Sequence, residues 1–196
     1  LRDGNVLLPN CEIDINGGEV AEYPIEELKK YIYFAFKSGS PIGILSSGVK
    51  YSSVVADALS LADTKLMISV DSGTKKTYEK IKRVKAFNRV WHNLKKYIKA
   101  ANKNQNSKVT IKYIIIPGIN DNIEEVRAFI EKCKSVRCKH IAISIEMNYK
   151  KNNYNDKAIG KLKDTILYFN KCKNIYTDIE FQYTPETNEW FLKQFT

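Results

Sequence analysis

Two short polar groups in this 196-residue sequence carry residue types that could bind a charged small molecule. Gly17-Gly18-Glu19 follows the strand-like run Cys11 to Asn16, so two permissive backbone positions and one carboxylate stand at a strand tip. Ser69 and Asp71 lie two residues apart on the run Leu66 to Asp71, so they share one side of a strand and reach its tip together. A third strand-like run, Val109 to Ile116, ends in the turn Pro117-Gly118-Ile119-Asn120-Asp121. Ser46, Ser47 and Gly48 stand at the end of a shorter apolar run, Ile42 to Leu45. In a barrel of parallel strands, such tips are where ligands sit. Each group also has a plainer explanation: Glu19 as a solvent carboxylate at a turn, and Asp71 as the cap of the turn through Ser72 and Gly73.

The elements that would position these groups follow from apolar spacing. Strand and helix signatures alternate at short intervals, which predicts βα units and a parallel sheet joined by right-handed crossovers. Pro24 opens a helix with Ile25, Leu28, Ile32, Ala35 and Phe36 on one side and Ser38-Gly39 at its end. Further helices are expected over 53–62 and 75–82. A long one follows, with Phe87, Val90, Trp91, Leu94, Ile98 and Ala101 as its core face. Asp121 with Glu124 reads as a capping-box start to a helix carrying Ile123, Val126, Ile130 and Cys133. Strands are expected near 12, 43, 68, 112, 143 and 181, adjacent in that order. A helix around Ile159 to Phe169 and a terminal helix with Trp190, Phe191 and Phe195 complete the pattern. The stretch from Asn148 to Asp156 reads as a loop over the open end of the strands.

Alternation also places Glu12, Asp14 and Asn16 on one side of the first strand, and Ser144 and Glu146 on one side of the strand around Ile143. A purely structural barrel interior favours branched apolar residues, so these acids point to a polar substrate chamber, unless the same sides face water.

Length and 43% hydrophobic content fit one domain with a sizeable core. No apolar run reaches the length of a membrane span, and the first ten residues lack a signal-peptide pattern, which predicts a cytoplasmic protein. Four scattered cysteines fit reduced thiols, and no metal site is expected from them. No Ser/His/Asp triad or P-loop is present. The net charge of +10 fits either a solvated surface or an acidic partner.

Taken together, the GGE turn, the Ser69/Asp71 strand and the Ile116-Pro117-Gly118-Ile119-Asn120-Asp121 turn resemble the radical S-adenosylmethionine (radical SAM) superfamily over nearly the whole chain. Val20 stands where the family's GGEP form has proline, and the cluster-binding CxxxCxxC motif is not found. The resemblance implies an α/β fold, a partial TIM-like (β/α) barrel of parallel strands with outer helices. Its first strand and cluster loop would lie upstream of Leu1, leaving an open edge available for self-association.

The implied cofactor is SAM, with a [4Fe-4S] cluster expected only in the intact parent protein. There the pair would generate a 5′-deoxyadenosyl radical for hydrogen abstraction, and the fragment alone would be inactive. By resemblance, Gly17, Gly18 and Glu19 receive the SAM ammonium, while Ser69 bonds the ribose or carboxylate with Asp71 nearby. Lys82 pairs with the carboxylate, Ser46 and Ser47 line the cofactor site, and Ile114 or Ile116 contacts adenine. Glu12, Asp14, Ser144 and Glu146 would meet the substrate, which is a peptide, a sugar or RNA. No catalytic residue is assigned. The competing reading is a noncatalytic, cluster-free module that binds nucleic acid or another acidic partner.

Overall fold

A computed structural model describes residues 11–16, 19–145, 160–161, 164–165, 167–169, 171 and 176–179. Gly17, Gly18, Glu146, Cys172, the segment 148–156 expected to be a loop and the C-terminal segment expected to be an aromatic helix lie outside the described residues.

The chain alternates strand and helix as its spacing predicts. The strands are β1 (Ile13–Ile15), β2 (Ile42–Ser46), β3 (Thr64–Ser69), β4 (Lys108–Ile115), β5 (His140–Ile145) and β6 (Tyr176–Ile179). Between them run α1 (Ile25–Ser38), α2 (Ser53–Leu61), α3 (Lys75–Lys82), α4 (Phe87–Ala101) and α5 (Ile123–Ser135), with a single 3₁₀ turn at Val20–Glu22. Residues 160–161, 164–165 and 167–169 are helical, in the segment expected to be a helix. The strands form one sheet in the order β1-β2-β3-β4-β5-β6. Pairing is parallel from β1 to β2, β2 to β3 and β5 to β6, with Ile13 opposite Ile42 and Ile44 opposite Leu66. Among the described residues β1 pairs with β2 alone. This is the α/β fold expected from the sequence.

The chain separates into two compact units, residues 1–68 with 89–110, and residues 69–88 with 111–196. In the first unit, Ile42, Ile44, Leu66 and Ile68 are buried together with Val55, Ala58 and Leu59 of α2. Val90, Trp91, Leu94, Ile98 and Ala101 of α4 are buried as their spacing requires. In the second unit, Tyr113 of β4, Phe129 of α5 and Phe169 form an edge-on aromatic cluster with centroids 4.7 to 6.0 Å apart.

Two local expectations are corrected. On α1 only Leu28 and Ala35 are fully buried, while Ile25 and Phe36 are 61% and 52% exposed. The 3.6-residue period identified an apolar side, but neighbouring elements cover only a narrow part of it. The α5 cap is Asn122, whose side chain accepts from Glu125 N at 3.0 Å, rather than Asp121, which is buried. Asn-Asp-Asn offers three competent caps in a row, and packing selects among them.

Candidate functional site

In the first unit the site grows from the end of β2. Gly48 adopts a left-handed φ of +70°, and a Cβ there would lie 2.9 Å from Ile68 Cγ2, so the 46–49 turn closes only on glycine. Asn93 of α4 secures that turn, donating from Nδ2 to the carbonyls of Gly48 at 2.9 Å and Val49 at 3.3 Å.

Within the turn, Gly48 N donates to Ser46 Oγ at 3.0 Å and Val49 N to Ser47 Oγ at 3.3 Å. Each hydroxyl therefore has its lone proton to give elsewhere, and both give it to Glu19. Ser46 Oγ donates to Oε1 at 2.6 Å, while Ser47 donates to Oε2 from its backbone N at 2.8 Å and from its hydroxyl. Ala21 N completes the set at 3.4 Å, making Glu19 the cap of the 3₁₀ turn. Burial opposes ionisation of Glu19, but the bonds from Ser46, Ser47 and Ala21 outweigh it and lower its pKa. The result is an anion held in place just beyond the end of β1.

In the second unit, Val70 N and Asp71 N both donate to Lys112 O, at 3.1 and 3.3 Å. Asp71 sits at φ +60°, and its buried carboxylate accepts from Ile114 N at 2.7 Å and from Ser69 Oγ at 2.8 Å. Lys82, the last residue of α3, forms an ion pair with Asp71 and donates to Ser69 Oγ at 3.1 Å. The helix can end there because Arg83 takes the left-handed conformation at φ +55°. Two of the three ammonium donors of Lys82 are thus used, and its side chain remains 25% exposed. The Ser69/Asp71 pair and Lys82, proposed separately from sequence, form one connected network.

Two residues that the sequence reading missed support this network. Asn120 is fully buried and donates from Nδ2 to Asp71 O and Ile114 O, both at 2.8 Å. Its Oδ1 accepts from Ile116 N at 2.6 Å, and its carbonyl accepts from Tyr113 Oη at 2.7 Å. Half-buried Ile116 is therefore the first residue of a turn pinned by Asn120. Burial, then the charges of Glu125, Asp71 and Asp121, raise the Tyr113 pKa, so its hydroxyl stays protonated and donating. Glu125 of α5 accepts from Ser72 Oγ at 2.6 Å, Gly73 N at 2.8 Å, Thr74 N and Oγ1 at 3.0 Å, and Thr77 Oγ1 at 3.1 Å. A buried Asn in an IPG-type turn was a legible signal for Asn120. Nothing local marked Glu125.

The remaining candidates are placed differently. Glu12 and Asp14 are exposed and reach over Gly43, where a Cβ would meet Asp14 Oδ1 at 2.0 Å and Glu12 Oε1 at 2.8 Å. Glu12 is ion-paired with Lys65. Ser144 is buried, and its hydroxyl has no hydrogen-bond partner among the described residues. Cys11 is exposed, whereas Cys133 and Cys138 are buried. Among the described residues no three His, Cys, Asp or Glu stand together as a metal site, so these residues do not fit an iron–sulfur cluster. No helix among them is long and apolar enough to cross a membrane.

No protein-family model and no curated protein matches the sequence. Solved structures do match. The structure titled anSMEcpe with bound AdoMet aligns at TM-score 0.67 and 15% identity, over 88% of this chain and 49% of that one. SuiB of Streptococcus suis bound to S-adenosylmethionine aligns at 0.64 and 9%, over 89% and 40%. A radical SAM methyltransferase from Sphaerobacter thermophilus aligns at 0.52 and 14%, over 73% and 41%. SuiB has also been solved with the precursor peptide SuiA, and anSMEcpe with the Cp18Cys peptide. The chain spans half or less of the length of these three solved chains. Its α/β fold, with parallel strands carrying polar clusters at their tips, is the fold of radical SAM enzymes.

Proposed function

We propose that this chain is the SAM-binding and substrate-binding portion of a radical SAM enzyme acting on a peptide, and that its 196 residues form one domain of that enzyme. The observation that carries the reading is the ionised Glu19 carboxylate, fixed by Ser46 and Ser47 beyond β1. The methionyl end of SAM is a zwitterion and needs an anion for its ammonium and a donor for its carboxylate. Glu19, with the backbone of Gly17 and Gly18, fits the first need. In the second unit, taken by itself, Lys82, steadied by Ser69 and Asp71, is by its charge the candidate for the second. Ser46 and Ser47 orient Glu19, Ile116 offers an apolar edge to adenine, and Glu12, Asp14, Ser144 and Glu146 are the candidates to meet substrate. Peptide is preferred as substrate because two neighbours of this fold were solved with peptides. A bound [4Fe-4S] cluster would supply the electron for reductive cleavage of SAM, and the 196 residues contain no CxxxCxxC motif to ligate one.

Calorimetric titration of the intact protein with SAM tests the reading. Glu19→Ala should weaken binding by about 1.5 to 3 kcal/mol, the worth of a charge-assisted bond. Lys82→Arg should retain most of the affinity and Lys82→Met should lose it. Unchanged SAM affinity in Glu19→Ala sinks the assignment.

A further inference from the structure

The positive charge of this chain is not spread evenly. From Lys80 to Asn120 there is no Asp or Glu, and this stretch holds 11 of the 32 Lys and Arg residues. The rest of the chain, with 21 basic and 22 acidic residues, is close to neutral. The net charge of +10 therefore resides in one segment, where a merely lysine-rich surface would distribute it.

Within the first unit the structure turns that segment into a ridge. Arg89, His92, Lys96, Lys99 and Lys103 recur at alternating three- and four-residue spacing, with Lys95 alongside, and all six are exposed. Lys103 lies in the turn that follows α4, where its N–H donates to Ala100 O at 3.1 Å. From Arg89 to Lys99 the ridge climbs about 15 Å at the helical rise. The opposite side of α4 is closed, because Val90, Leu94 and Tyr97 are buried in the core.

We propose that the α4 ridge docks an acidic peptide segment in helical form. A helix with Glu or Asp at the same three- and four-residue spacing presents carboxylates at the same rise, so the two rows match along their length. Nucleic acid fits less well. Only one of the five cationic ridge residues is an arginine, and no exposed aromatic stands on α4 to stack a base. Tyr51, the nearby aromatic, has Lys96 Nζ 3.3 Å from its ring centroid and Tyr97 stacked at 5.0 Å. A membrane surface fits less well again, since the apolar side of α4 has nothing left to insert. The proposal requires no bound SAM, so it stands or falls apart from the cofactor reading.

Fluorescence anisotropy with three labelled probes tests it: an amphipathic helical peptide bearing Glu at that spacing, single-stranded RNA of equal charge, and phosphatidylserine vesicles. The triple variant Lys95→Glu/Lys99→Glu/Lys103→Glu should lose about tenfold or more in peptide affinity. The triple variant Lys30→Glu/Lys37→Glu/Lys139→Glu, which changes net charge equally at exposed sites elsewhere, should lose less than about twofold. Replacing Lys95, Lys99 and Lys103 by arginine should preserve binding, and a melting curve of the glutamate triple variant that matches wild type excludes unfolding as the cause. Equal losses in the two charge-reversal variants, tighter binding of RNA or vesicles than of peptide, or no peptide binding at physiological salt would each overturn the proposal.

Discussion

Glu19 in the first unit and Glu125 in the second are both carboxylates surrounded by hydroxyls and backbone N–H groups, and in both the pKa falls below its ordinary value of 4.5. They differ in what remains unfilled. Glu125 is 6% exposed and accepts five hydrogen bonds, four of them from Ser72, Gly73 and Thr74 in the loop that leads into α3. Gly73 packs so closely against α5 that a Cβ would fall 2.1 Å from Phe129 N, which locks the loop onto the carboxylate. Glu19 stands half-buried, and two of its donors are serine hydroxyls, which can rotate and share the carboxylate with an incoming cation. A saturated, buried carboxylate holds the fold together; one that is fixed but open to solvent can meet a ligand.

The sharpest way to break this comparison is to remove both carboxylates in turn and measure stability. Glu125→Ala strands the buried N–H of Gly73 and removes the four other bonds that Ser72, Thr74 and Thr77 give the carboxylate, and should cost about 3 kcal/mol or more by denaturant unfolding. If that variant unfolds at the wild-type denaturant midpoint, Glu125 is not the strut described here. Glu19→Ala should cost about 1 kcal/mol or less in the same assay, its main effect being the loss of SAM affinity.

Acid titration separates the two next. Both groups have a lower pKa folded than unfolded. Their stabilisation is therefore present above pH 4.5 and disappears as pH drops through the folded values. Glu125→Gln should flatten the dependence of unfolding free energy on pH below 4.5 more than Glu19→Gln does. A larger flattening in Glu19→Gln would reverse the roles.

The smallest effects come from single hydroxyls. Thr77→Val deletes one bond to Glu125 and should cost about 1 kcal/mol in stability. Ser47→Ala should change stability by less than about 0.5 kcal/mol while weakening SAM binding, because it loosens Glu19 without stranding a buried group. Isothermal titration alongside thermal melts distinguishes the two.

Much of the frame on which these carboxylates sit was legible before the structure. The bounds of α3 at Lys75 and Lys82 and the buried face of α4 follow from spacing that each segment carries within itself, and the strand order from the repeated βα alternation along the chain. The strand-tip candidates Glu19, Ser46, Ser47, Ser69 and Asp71 were also visible, since a polar residue ending an apolar strand is a local signal. The width of the buried face of α1 was not, because Ile25 and Phe36 carry the same period as Leu28 and Ala35 and differ only in their neighbours.

What the sequence by itself determined, then, is the alternation of strands and helices and the chemistry waiting at the strand ends, because backbone periodicity and turn preferences act over a few residues. Tertiary structure alone decided which polar groups close on each other. Glu125 meets Gly73 across 52 positions, and Asn120 meets Asp71 across 49. Lys82 could have been one more solvated lysine until α3 brought it to Asp71. Hydrogen bonds and ion pairs act over a few ångströms of space, and a linear pattern cannot say which distant segments will share that space.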